Sequence, residues 1–191
     1  MKGAESALRE AVEFLEERGI PYMVIGGLAN LVWGVPRATL DADVAVWVEE
    51  DRVDAVVGDL CRTFTPFPKD PRAFAAELRV LPMKSGSGRV DFVFGALPYE
   101  REAIRRAVVV KLAGRRVRVC TPEDLIIMKV LADRPRDIED MRGVAKRQGR
   151  VLDRAYLDPI VRGLAGELSR PDLWERFVAV FGPARRRRKN I

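Results

Sequence analysis

A chain of 191 residues with 48% hydrophobic and 32% charged side chains is long enough to bury one core and too apolar to be disordered over most of its length. It contains no histidine, which excludes imidazole bases, Ser-His and Cys-His nucleophile pairs and His-ligated zinc; any chemistry must use carboxylates, lysine, arginine or a hard metal ion. The net charge of +6, concentrated in Arg185-Arg186-Arg187-Arg188-Lys189, favours anionic partners such as nucleotides or nucleic acid.

In chain order, Leu8, Ala11, Val12 and Leu15 share one face of an amphipathic helix over 5–18, stopped by Gly19 and Pro21. The stretch is charged rather than signal-like, and no apolar run approaches the ~20 residues that span a bilayer. The expected location is cytoplasmic, without a membrane partner. Tyr22-Met23-Val24-Ile25 reads as a buried strand, Gly26-Gly27 as its end, and 28–33 as a short helix closed by Gly34. Alternation over 41–48 predicts a second strand, and a helix follows over about 50–60. Residues 63–72, with three prolines, read as a surface loop. Two strands, 78–83 and 89–94, flank the glycine-serine turn 84–88, and 108–112 and 117–120 read as another pair. From Thr121-Pro122-Glu123-Asp124, a helix start, the chain is helical: a first helix with Leu125, Met128 and Leu131 in its apolar stripe, then 136–148, 153–168 and 171–181. Cys61 and Cys120 lie in apolar surroundings and read as packing residues. This divides the chain into an α/β core over 1–120, a helical part over 121–182 packed on it, and a flexible basic tail over 183–191.

Three local features point to chemistry. Asp41 and Asp43 are two apart on a strand and project from the same face, where their repulsion costs several kcal/mol unless a cation neutralises them. Mg²⁺ takes such hard oxygen ligands and bridges carboxylates to phosphates. Gly26-Gly27, between a strand and a helix, lets a ligand approach the backbone and free helix N–H groups, or serves simply as a tight turn. Asp91, flanked by Val90 and Phe92, needs a partner: either a metal site shared with Asp41 and Asp43, or an ion pair with Arg89 or Lys84.

The run Gly26-Gly27-Leu28-Ala29-Asn30, then Gly34-Val35-Pro36-Arg37-Ala38-Thr39-Leu40-Asp41-Ala42-Asp43, resembles the opening motif of the nucleotidyltransferase AbiEii-like toxin family, within the DNA polymerase β-like nucleotidyltransferase superfamily. The run from Thr121 to Lys129, followed by Leu131-Ala132-Asp133-Arg134-Pro135-Arg136-Asp137-Ile138-Glu139-Asp140, looks like its second signature. The resemblance implies an α/β (α+β) polymerase β-like fold, a mixed sheet with flanking helices and a helical C-terminal part. It implies that Asp41, Asp43 and Asp91 are catalytic and bind two Mg²⁺ ions, with Asp91 as base toward the attacking hydroxyl. Gly26 and Gly27 would hold phosphates through the backbone, Lys129 would meet the triphosphate, and Arg37 and Thr39 would add phosphate contacts. Asp137 matches the acid of the helical signature.

The implied activity is transfer of a nucleoside monophosphate from an NTP to an acceptor hydroxyl. The acceptor would be a tRNA 3′ end or other RNA, with the protein acting as the toxin of a toxin–antitoxin pair beside a cognate partner. The rival readings are an AMP-transferring, protein-modifying enzyme of the antitoxin-like branch, a nucleotide- or RNA-binding module without turnover, and a partner protein dimerising through its C-terminal helices.

Overall fold

The computed structural model describes residues 2–86, 88–132 and 134–183. Most of the expected basic tail and Asp133 lie outside the described residues. The described chain forms two compact units: Met1–Val32 with Pro36–Thr121, and Trp33–Val35 with Pro122–Ile191.

The first unit is built on a mixed sheet. Helix α1 (Lys2–Glu17) buries Ala4, Ala7, Leu8, Ala11, Val12, Phe14 and Leu15, the apolar stripe of its sequence. It leads through Gly19, at φ +62°, into β1 (Tyr22–Ile25), which runs directly into α2 (Gly26–Trp33). Strand β2 (Asp41–Val46) precedes a 3₁₀ turn (Glu50–Arg52) and α3 (Val53–Thr63). Strand β3 (Thr65–Pro66), α4 (Pro71–Leu78), β4 (Val80–Ser85) and β5 (Gly88–Phe94) follow. Helix α5 (Pro98–Arg106) and the hairpin β6 (Val108–Leu112) and β7 (Arg115–Val119) complete the unit.

Among the described residues, seven strands form one sheet in the order β3-β4-β5-β2-β1-β7-β6. The β2–β5 and β1–β7 pairs are parallel, and the remaining pairs antiparallel. Ala42, Val44, Val90 and Phe92 are fully buried on one face of the central strands, the face opposite Asp41, Asp43 and Asp91.

Several elements depart from the sequence expectation. The stretch 63–72 is not simply a loop: it contains β3 and opens α4, whose N-cap Asp70 accepts a hydrogen bond from Ala73 N–H at 3.0 Å, with Pro71 in the first turn. Helix α5 has no counterpart in the sequence expectation, since its N-cap is Leu97 and offers no polar cap. The Glu100 carboxylate does the capping from inside the helix, accepting from the Ala96 and Leu97 N–H groups at 2.8 Å each.

The second unit consists of helices. These are α6 (Pro122–Ala132), α7 (Pro135–Gln148), α8 (Arg154–Glu167) and α9 (Pro171–Phe181). Asp153 caps α8 through Ala155 and Tyr156 N–H groups, as Thr/Ser/Asp/Asn caps do. The short segment Trp33–Val35 belongs to this unit, with its carbonyls at Trp33 and Gly34 accepting from Gln148 and Arg147. Gly143 on α7 is required there, since a Cβ would stand 2.9 Å from Val35 N. No helix among the described residues is long and apolar enough to cross a membrane.

Tyr22 is buried at the start of β1 and donates to Glu16 Oε1 at 2.8 Å. Burial first, and the neighbouring Glu16 carboxylate second, push its phenol up to about 12. The raised pKa means that Tyr22 contributes stability that is complete below the unfolded value near 10 and is lost as pH rises toward 12. Absorbance titration is expected to show one tyrosine ionising late, with thermal stability falling over that window and Tyr22→Phe removing the late step. A Tyr22→Phe titration identical to the parent's would overturn the assignment.

Candidate active site

The acids of the sequence meet because of strand register. Parallel pairing of β2 and β5 sets Asp43 opposite Asp91 and Asp41 opposite Arg89. Antiparallel pairing of β1 and β2 sets Ile25 opposite Asp43, so Gly26 follows at the end of the neighbouring strand. Side chains directly across a sheet share a face, and strands lie about 4.8 Å apart. One row of this face reads Thr65, Lys84, Arg89, Asp41, and the next carries Pro82, Asp91 and Asp43. The three carboxylates are thus neighbours on the face opposite the core, and Asp41 and Asp43 are partly exposed.

Arg89 places a cation among them. Its Nε donates to Asp91 Oδ1 at 2.7 Å and its Nη2 to Asp91 Oδ2 at 2.9 Å, a two-pronged pair. The Asp91 side chain is 16% exposed and that of Arg89 47%. The hydrogen bonds to Asp91 push the guanidinium pKa further up, and the charges of Asp91, Asp41 and Asp43 add to this against a smaller opposing effect of burial. Sequence reasoning offered metal site and Arg89 ion pair as alternatives for Asp91; the structure shows the ion pair, with Asp43 in register beside it.

The glycines are explained by the same geometry. Gly26 has φ +61°, and a Cβ there would collide with the Asp43 carboxyl group. A Cβ on Gly27 would stand 2.5 Å from Thr39 Oγ1. Thr39 is buried and its hydroxyl lies 3.2 Å from the Asp41 carbonyl and 3.3 Å from Asp41 Oδ1, the two acceptors for its one proton. Thr39 therefore orients the first acid, a contact the sequence motif did not reveal. Arg37, next in the connector, is half-buried and reaches the Ala38 carbonyl at 3.3 Å. Gly26→Ala is expected to cost about 1–3 kcal/mol in urea unfolding, from left-handed strain plus displacement of Asp43. Gly19→Ala, at φ +62° with nothing within 4 Å, carries the strain alone and should cost less. Equal losses in the two variants would remove the claimed steric link between Gly26 and Asp43.

Lys129 and Asp137 meet each other in the second unit. Lys129 is buried on α6, with its ammonium 3.0 Å from Asp137 Oδ1 and 2.6 Å from Asp140 Oδ2. Arg134 adds a contact from its Nε to Asp137 Oδ2 at 3.1 Å. Asp140 was not singled out in the sequence, although it lies eleven positions after Lys129 as the last residue of the second signature. In the same unit, Tyr156 donates to Asp124 Oδ1 at 2.7 Å.

Three carboxylates on one sheet face, with a glycine at the strand end where no side chain fits, are a donor set suited to a hard divalent cation. Among the described residues no group of three acids is drawn together as a ready metal cluster. Both Asp91 oxygens are engaged by Arg89, while the neighbouring Asp43 carboxyl fills the space that Gly26 leaves.

The family model described as "Nucleotidyltransferase of unknown function (DUF6036)" matches residues 6–161. The chain belongs to this family. The match establishes a nucleotidyltransferase, a coarser placement than the AbiEii-like toxin resemblance of the motifs. No curated protein matches the sequence. Among solved structures, an antigenic nucleotidyltransferase-like protein from Paracoccidioides brasiliensis is 16% identical, with 95% of this chain and 98% of that chain covered and a TM-score of 0.57. ANT(2″)-Ia, in complex with adenylyl-2″-tobramycin, is 19% identical, with 91% and 98% covered and a TM-score of 0.51. At such identities the likeness concerns the fold, and the mixed sheet with flanking helices agrees with the polymerase β-like architecture expected from the motifs.

Proposed function

We propose that this nucleotidyltransferase moves an NMP from an NTP to an acceptor hydroxyl at the Asp41–Asp43–Asp91 face, with an RNA 3′ end as acceptor. The observation that carries the reading is the register of β2 against β5, which sets Asp43 beside Asp91 with Asp41 on the same face. In the reaction the acceptor oxygen forms a bond to the α-phosphorus, the bond to the bridging oxygen breaks, and pyrophosphate leaves. The acceptor proton passes to a carboxylate oxygen of Asp91. Each Asp91 oxygen retains a lone pair beyond the one taken by Arg89, so the ion pair orients the base without consuming it.

Asp41, Asp43 and Asp91 would hold Mg²⁺, which when bound supplies positive charge against the triphosphate and the leaving pyrophosphate. Thr39 keeps Asp41 in place, and Gly26 and Gly27 make room for the Asp43 and Thr39 side chains beside the start of α2, whose backbone N–H groups would meet phosphate oxygens. Arg37 enters the proposal as a further phosphate contact. Lys129 and Asp137 are proposed as nucleotide-side residues, as the resemblance of the second signature implies.

The motif resemblance supports a role as the toxin of a toxin–antitoxin pair with a cognate protein partner, and use of NTP and RNA suits the cytoplasm. The test is transfer from each α-phosphorus-labelled NTP with Mg²⁺, total tRNA and the protein itself. Label on tRNA is the expected result. Label on protein alone would replace the RNA reading with the AMP-transferring one. Nucleotide binding without label anywhere would leave a non-catalytic module.

A further inference from the structure

Beyond the acids, the same sheet face carries a second chemistry. In the row that ends at Asp41, register places Lys84 on β4 beside Arg89 on β5. Phe67 follows β3, with its N–H bonded to the Pro82 carbonyl at 3.1 Å, opposite the residue that pairs with Asp91. Phe67 is 56% exposed, an apolar residue open to water, and Arg89 stands over its ring with Cζ 5.4 Å from the centroid. Arg89 spends two N–H groups on Asp91 and has three more. Across the face, a carboxylate end on β2 and β5 therefore passes into a cationic and aromatic end on β5, β4 and the residue after β3.

We infer that Phe67, Lys84 and Arg89 form the platform that seats the acceptor, and that the acceptor it fits is a polynucleotide 3′ end. This rests on the reading of Asp43 and Asp91 as the transfer site. The chemistry of the platform is that of single-strand binding: a ring face for a base, cations for the phosphate behind it, and the terminal hydroxyl delivered to Asp91. Arg89 has two tasks here, holding Asp91 and receiving the phosphate that precedes the hydroxyl. A polycationic acceptor would meet Arg89 and Lys84 as like charges at the place where its hydroxyl must arrive.

The experiment is fluorescence anisotropy of the full chain with a labelled single-stranded RNA ending in a 3′-hydroxyl, across a range of salt concentrations. Phe67→Leu, a change at an exposed position, is expected to weaken binding roughly tenfold through lost stacking. Lys84→Gln is expected to lower the slope of log affinity against log salt by about 0.7, the value for one phosphate contact on a single strand. Unchanged affinity in Phe67→Leu together with an unchanged slope in Lys84→Gln, in variants with parental melting curves, would overturn the platform and assign RNA binding to the basic C-terminal run. Label transferred to protein, with no RNA binding that depends on Phe67, would overturn it as well. Loss of transfer in Asp43→Asn is measured separately, so failure of the platform and failure of the transfer site give different results.

Discussion

Asp43→Asn is expected to reduce nucleotidyl transfer by at least about a hundredfold to a thousandfold, the scale seen when one preorganised electrostatic group is removed from an active site. Asp43 lies opposite Asp91 on a parallel strand and opposite the last residue of β1, so it is the acid nearest both the proposed base and the glycine turn. Asparagine keeps the shape, and the space made by Gly26 remains filled. What changes is charge: one negative group is lost from a set of three that stands beside Arg89. The fold should therefore survive, with a melting temperature equal to or slightly above the parent's, because like-charge repulsion is relieved. Transfer is read from labelled pyrophosphate or product, and stability from thermal unfolding. Activity near the parental level in Asp43→Asn would sink the assignment of this face as the transfer site. Loss of activity accompanied by unfolding would show Asp43 to be structural instead.

Lys129→Met is expected to destabilise the protein by about 3–5 kcal/mol, the usual cost of leaving a buried charge without its partner. The ammonium is the cation common to Asp137 and Asp140, and all three side chains are nearly inaccessible. Methionine preserves most of the packing volume but removes the cation shared by the two carboxylates, with Arg134 still beside Asp137. Urea denaturation measures the loss. Adding Asp140→Asn to Lys129→Met should return part of it, since one of the two carboxylates that lost the ammonium is removed. A loss below about 1 kcal/mol would place the lysine among surface-like ion pairs. A parental unfolding curve with weakened NTP binding would instead assign its main role to the nucleotide.

The elements with strong periodicity were legible from the residues alone. The stripe Leu8, Ala11, Val12, Leu15 produced α1, which starts at Lys2 rather than at residue 5, and Tyr22–Ile25 is β1 with the expected boundaries. Helix α2 begins two residues earlier than expected, at Gly26, because glycine at φ +61° turns the chain straight from strand into helix. Helix α4 was hidden in a proline-rich stretch, although Asp70-Pro71 is itself a helix start. Helix α5 lacked any polar N-cap, and Glu100 supplies that function from the third helical position.

By itself the sequence determined which chemistry is open to this protein. The absence of histidine left carboxylates and cations, and the two-residue spacing of Asp41 and Asp43 set them on one face of any strand they occupy. Local rules of this kind act within a few residues and need no knowledge of the fold. Which side chains face those acids was decided by tertiary structure, through the pairing of β2 with β5. Register is a choice between strands far apart in the chain, made by burying Ala42, Val44, Val90 and Phe92 on the opposite face. That choice brings Asp91 to Asp43 and Arg89 to Asp41, and it carries Lys84 and Phe67 to the same surface. The partners of Lys129 were likewise settled by how α6 and α7 pack, because a helical lysine in sequence shows neither its burial nor the carboxylates eight and eleven positions on.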